Sequence, residues 1–172
     1  AILGNSIVSN LSLGIDLGTT TGVTLNDDQD PDTGANFLQN YPLLYEATTG
    51  SVIVAGLVNS RPSTIYWLEF FLSDEDSSGY GEGATPIAGT NITTDAGGNA
   101  TFEFTLLYTA RTGRYVTATA TDPFGNTSEF AKNVLIVPNA QYGDADGDGM
   151  PTRQGSTSSP TTRRRSGRCS GW

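Results

Sequence analysis

The sequence predicts an all-β chain, a Greek-key β-sandwich of about seven strands. Three observations carry this. Gly, Thr, Ser and Asn are abundant while charged residues make up only 16% of the chain, a profile of strands and turns. Short strand-like runs recur along the chain with Gly, Pro, Asn or Asp clusters between them. In residues 101–107, Phe102, Phe104 and Leu106 alternate with Thr101, Glu103 and Thr105, the period of a half-buried strand. No helix longer than about two turns is expected.

Taken in order, residues 1–18 intersperse Ile, Leu and Val with Asn and Gly. Asn5, Ile7 and Asn10 form an N-x-I-x-x-N unit that suits one coil of a right-handed parallel β-helix, with Ile stacked inside and Asn along the turns. One coil cannot bury its own face, so residues 1–25 read as a terminal β-helix coil remnant. Residues 26–42 follow as an acidic linker. Strands are expected at 43–48, 51–58, 64–72, 87–94, 100–107, 115–121 and 128–137, forming a sandwich of immunoglobulin-like type over residues 43–138. Residues 139–150 read as a truncated calcium-type repeat. Residues 151–172 hold no aliphatic side chain and are expected to be disordered. Their Thr, Arg, Ser, Gly and Pro content matches a GC-rich gene read in the wrong frame; the rival reading is a basic tail contacting an acidic polymer.

Charge is divided unevenly. Residues 1–150 carry all 18 acidic residues and only Arg61, Arg111, Arg114 and Lys132 as basic ones, a net −14, whereas the last 22 residues are +5. Such a body repels nucleic acid and anionic membranes and attracts divalent cations. Histidine is absent, so neither a Ser-His-Asp triad nor a His-ligated zinc site can come from this chain alone. Cys169 is the sole cysteine, which excludes an intrachain disulfide. No apolar run reaches the ~18 residues of a membrane span. No signal peptide is visible, and the chain opens with Ala-Ile-Leu in mid-pattern, as a piece of a longer protein would.

The strongest candidate site is the linker. Asn26, Asp27, Asp28, Asp30, Asp32 and Asn36 lie within eleven residues, and Gly34 permits a tight turn. Calcium takes six to eight oxygens at roughly 2.3–2.6 Å, which closely spaced loop carboxylates supply; the alternative is a solvated acidic turn. Asp144, Asp146 and Asp148, with Gly149, open a D-x-D-x-D-G calcium loop. Position twelve is Gly155 in place of Glu, and position nine is Thr152 in place of Asp, so weak binding at best is expected there.

Other motifs carry less. Gly14-Ile-Asp-Leu-Gly-Thr-Thr20 matches the phosphate loop of actin-like and sugar-kinase ATPases, but the two α/β lobes that loop requires are missing. A buried segment around Ile15 and Leu17 ending in a turn is expected instead. Gly79-Tyr-Gly-Glu-Gly83 reads as a loop between strands. Glu69, Glu82, Glu103 and Glu129 are the candidates for a glycosidase pair, but Glu69 and Glu103 fall on the polar phase of their strands, where solvent exposure is expected. In TIYWLEFFL, Trp67 and Phe71 share one face with Glu69. That pair either stacks on sugar rings or a neighbouring domain, or is buried beneath a loop or the coil remnant; burial is the stronger expectation.

LGIDLG…GVT-L-ND, D-x-D-x-G-x-N-x-LQN-x-P, Y-x-LEFF, TTDAGGNATFEFTL and VTATATDPFGNTSEF occur in order over residues 1–137. Together they resemble the sandwich module that follows a right-handed parallel β-helix in large secreted bacterial proteins, including those with a CSLREA-type domain. The resemblance implies a fold and a secreted or cell-surface location, with a neighbouring β-helix as partner, but no reaction. The expected function is a non-catalytic structural or adhesive module, stiffened by calcium at Asn26–Asn36, with a surface glycan or protein as ligand. The alternative is an accessory or carbohydrate-binding domain of a β-helix polysaccharide-degrading enzyme.

Overall fold

The structure, a computed structural model, describes residues 1–49, 52–80, 82–106 and 113–138. The calcium-type repeat with Asp144, Asp146 and Asp148, and the tail at 151–172, lie outside the described residues. Among the described residues there are seven strands: β1 (Leu43–Thr48), β2 (Val52–Asn59), β3 (Ile65–Ser73), β4 (Thr85–Thr93), β5 (Asn99–Leu106), β6 (Tyr115–Thr121) and β7 (Val134–Leu135). They form two antiparallel sheets, ordered β1-β2-β5 and β4-β3-β6-β7. One 3-10 turn, Ala35–Leu38, is the only helical element among the described residues. The chain is therefore all-β, as its composition requires.

Period-2 patterning explains how the sheets meet. Tyr66, Leu68, Phe70 and Leu72 of β3, with Val116, Ala118 and Ala120 of β6, present one continuous apolar face. Val54 and Val58 of β2 pack into the same core, with Phe102 and Phe104 of β5 against its edge. Phe70 stands at the centre, stacked on Phe104 at 5.6 Å between ring centroids and tilted against Phe102 at 5.8 Å. Burying one such ring contributes roughly 1.5–3 kcal/mol, so this face-to-face contact holds the two sheets together. A parallel bridge between Thr48 and Val137 ties the β1 edge to the segment after β7.

Two strand boundaries differ from the sequence expectation, each for a local reason. β4 begins at Thr85 and includes Pro86, which is tolerated because β4 is an edge strand and bulges at Ile87, the residue skipped between the Phe70–Ala88 and Phe71–Pro86 pairs. The strand expected over 128–137 shrinks to Val134–Leu135. Upstream of it, side chains take bonds that a ladder would use: the Ala120 N–H donates to Ser128 Oγ, and Thr117 Oγ1 donates to the Ala131 carbonyl.

The opposite face of sheet β4-β3-β6-β7 is also covered. Residues 1–25 contain no strand, yet belong to the same compact unit, Ala1–Asn139. They lie as a strap over Phe71, forming a second apolar cluster of Ile15, Phe71 and Phe130 with Ile2, Ile7 and Leu17 around it. Unpaired backbone needs acceptors, and three glutamates supply them. Glu69 accepts from the Gly4 N–H, Glu82 from Ser9 and Asn10, and Glu129 from Leu17 and Thr24. Of the four candidate glycosidase carboxylates, Glu69, Glu82 and Glu129 are thus fasteners of the strap.

Candidate metal centre

The acidic linker turns back on itself before β1. Gln29 and Asp30 adopt left-handed φ values of 61° and 56°, a conformation that short polar side chains such as Asp tolerate better than bulky ones. Amide side chains secure the turn. Asn40 accepts from the Asp27 N–H and donates to the carbonyls of Asp27 and Asn59, and Asn59 Oδ1 accepts from the Gln29 N–H at 2.8 Å. The loop is thereby fixed to the end of β2. The β4–β5 turn lies against the same end: a Cβ on Gly98, at φ 80°, would stand 2.2 Å from the Ser60 carbonyl oxygen. Only glycine fits there.

This folding brings one oxygen each of Asp27, Asp30 and Asp32 to within 4.8 Å of one another. Asp30 is 1% exposed. Its Oδ2 accepts a 2.6 Å bond from Ser60 Oγ, which is in turn 2.7 Å from the Tyr66 hydroxyl and accepts from Gln39 Nε2 at 2.9 Å. Because the one Ser60 proton points at Asp30, the Tyr66 hydroxyl supplies the proton of its own bond, and it accepts from the Arg61 N–H. Burial pushes the Tyr66 hydroxyl upward in pKa, so it stays protonated as that role requires.

Three other oxygens of the cluster have no such support. Oδ1 of Asp27, of Asp30 and of Asp32 are all buried without a hydrogen-bond partner. Buried polar atoms are nearly always paired, so these three unpartnered oxygens are candidate ligands for a cation. Burial raises the Asp30 carboxyl above the ordinary aspartate range, opposed by the Ser60 bond and reinforced by Asp32. Burial also raises Asp32, with Asp27 adding to it. The Arg61 guanidinium acts in the opposite direction on both. A cation placed among the three carboxylates would relieve the same repulsion. Oxygens opposed across an ion at ~2.4 Å stand about 4.8 Å apart, so the spread of this cluster fits one calcium-sized sphere. The cluster can hold a metal ion, and its all-oxygen donors suit a hard one.

Of the six linker residues singled out in the sequence, three converge and three do not. The Asn26 side chain is committed to a reciprocal pair with the Tyr41 backbone. Asp28 is exposed and its carboxylate lies 3.5 Å from Asn59 Nδ2, and Asn36 Nδ2 donates to the Thr127 carbonyl. Sequence reasoning missed Ser60, Tyr66, Gln39, Asn40 and Gly98, which reach the site from other strands and turns; no spacing rule links them to the acidic run.

The aromatic pair proposed for sugar stacking is divided. Phe71 is 3% exposed and meets Phe130 edge-on at 5.3 Å, so the strap removes it from any ligand. Trp67 is half-buried, with its ring over Gly89, where a Cβ would stand 2.3 Å from it. Ile15 is buried as expected, while Asp16 is exposed and accepts from Gly22 within its own loop. No protein-family model matches the chain, and no curated protein matches it.

Proposed function

We propose that this chain is a non-catalytic extracellular structural module, an immunoglobulin-like Greek-key sandwich whose linker is locked to one end by calcium. The observation that carries the reading is the Asp30 carboxylate, fully buried, with one oxygen unpartnered beside Asp27 and Asp32. Three carboxylates supply up to six oxygens, and water completes the six to eight that calcium takes. The strand order supports a Greek key: β2-to-β3, β4-to-β5 and β5-to-β6 each connect strands of different sheets. The strong negative charge of residues 1–150 and the millimolar calcium outside cells support a secreted or surface location. The resemblance of the ordered segments over residues 1–137 to the module that follows β-helices in secreted bacterial proteins supports the same placement. On that reading the strap is the last coil remnant, and a β-helix is its neighbour. What the calcium does is mechanical: it fixes the linker between strap and sandwich.

The test is thermal melting of the full chain in EDTA and then in 1 mM calcium. A site with Kd near 10 μM contributes about 2.7 kcal/mol at that concentration. At roughly 3 °C per kcal/mol for a unit of this size, Tm rises by about 8 °C. Asp30→Asn abolishes the rise. An absent shift, or one that survives Asp30→Asn, overturns the reading.

A further inference from the structure

The residue after Ser60 is a cation. Arg61 follows the hydroxyl that bonds Asp30, and its charge acts on both Asp30 and Asp32. Yet among the described residues its guanidinium makes neither an ion pair nor a hydrogen bond. It rests on the ring of Phe37, with Cζ 4.9 Å from the ring centroid. A guanidinium offers five donors in a fork that fits carboxylates, so three clustered carboxylates are the stronger attraction unless something competes.

The competitor is presented by an unusual piece of backbone. Asn36, Phe37 and Leu38 take φ values of 45°, 54° and 52°, three successive left-handed residues, none of them glycine. L-residues adopt this region as isolated positions, so the turn needs support from outside itself. It has that support in the Asn36 Nδ2 bond to the Thr127 carbonyl at 2.8 Å, while within the turn the Gln39 N–H donates to the Asn36 carbonyl and Leu38 packs against Gly34. The outcome is an aromatic face held under Arg61, whose guanidinium is spent on the ring and not on the carboxylates.

We infer that Arg61 sets the affinity of the cation site, as a competing positive charge built into the chain that Phe37 holds away from Asp30 and Asp32. The inference rests on the cation reading above, and its independent footing is the buried, unpartnered Asp30 oxygen together with the ring-stacked guanidinium. When Arg61 leaves the ring, it reaches for the same oxygens as the ion, and the ion binds more weakly. The linker is then held by an internal ion pair instead, so calcium concentration selects between two ways of closing one loop.

Calorimetric titration of calcium into the full chain tests this in a four-protein cycle: unaltered, Arg61→Gln, Phe37→Leu and the double variant. Phe37→Leu keeps apolar bulk but removes the π face, and is expected to weaken calcium binding about two- to five-fold. Arg61→Gln is expected to tighten it by at least about twofold, through lost charge repulsion. In the Arg61→Gln background, Phe37→Leu has no further effect. Equal weakening by Phe37→Leu in both backgrounds overturns the inference, because Phe37 then acts through loop structure alone. So does an affinity unchanged by Arg61→Gln. If the unaltered protein binds calcium and Asp30→Asn does not, the cation reading stands whatever the cycle shows; if the unaltered protein binds none, both fall.

Discussion

Replacing Glu129 by Gln is the sharpest probe of how a strand-free strap becomes part of the folded unit. Glu129 is 2% exposed, and its two oxygens accept from the Leu17 N–H at 2.8 Å and the Thr24 N–H at 2.9 Å. It therefore closes the base of the loop formed by residues 17–24. Glutamine has one acceptor oxygen and one donor nitrogen. One N–H bond survives without its charge, losing about 1 kcal/mol, while the other becomes a donor facing a donor. Losing a charge-assisted bond costs about 1.5–3 kcal/mol, and the lower cost of burying a neutral amide offsets part of that. The net is a destabilisation of about 2–4 kcal/mol, or roughly 6–12 °C in Tm. Urea unfolding should show a lower midpoint with an unchanged m-value, and hydrogen exchange should show Leu17 and Thr24 amides losing protection. A midpoint within about 0.5 kcal/mol of the unaltered protein, with both amides still protected, would refute the idea that Glu129 fastens the strap.

Two further outcomes follow from the candidate metal centre. In EDTA, the raised Asp30 and Asp32 carboxyls mean that the folded state binds protons more tightly than the unfolded one. Their contribution is therefore fully present below the ordinary aspartate range and lost as pH rises through their folded values. The Tm of the unaltered protein, measured relative to Asp30→Asn, should fall as pH rises above the ordinary aspartate range, and calcium should remove that fall. Gly98→Ala forces a Cβ towards the Ser60 carbonyl at a φ of 80°, and should cost at least about 2 kcal/mol by urea unfolding while weakening calcium binding.

The strands were legible in the sequence because their signal is local. Alternation in residues 101–107 and the apolar phase of TIYWLEFFL identify β5 and β3, and the Gly- and Asp-rich punctuation separates them. What was not legible depends on contacts distant in sequence. The Ser128–Ala131 segment has strand-like composition and its Ser128 and Ala131 N–H groups bond to β6, but the return bonds involve the Ser128 and Thr117 side chains, so the ladder is incomplete. The three strap-fastening glutamates look like ordinary polar strand and loop positions until the strap lies over them. At the metal centre, composition identified the acidic run but not its members: Asp27, Asp30 and Asp32 converge because Asn40, Asn59 and Ser60 fix the turn from outside the run. Asn26 and Asn36 carry equally suitable oxygens, but their side chains turn to backbone partners, Asn26 with both atoms at Tyr41 and Asn36 with its Nδ2 at the Thr127 carbonyl.

The most direct measurement is diffraction from crystals of this protein grown in millimolar calcium, collected at a wavelength where calcium scatters anomalously. The account predicts a single anomalous peak among Asp27, Asp30 and Asp32, at about 2.3–2.6 Å from at least one oxygen of each, with Arg61 still on Phe37. A cluster whose carboxylates are bonded to Arg61 or to water, with no anomalous peak between them, would contradict it.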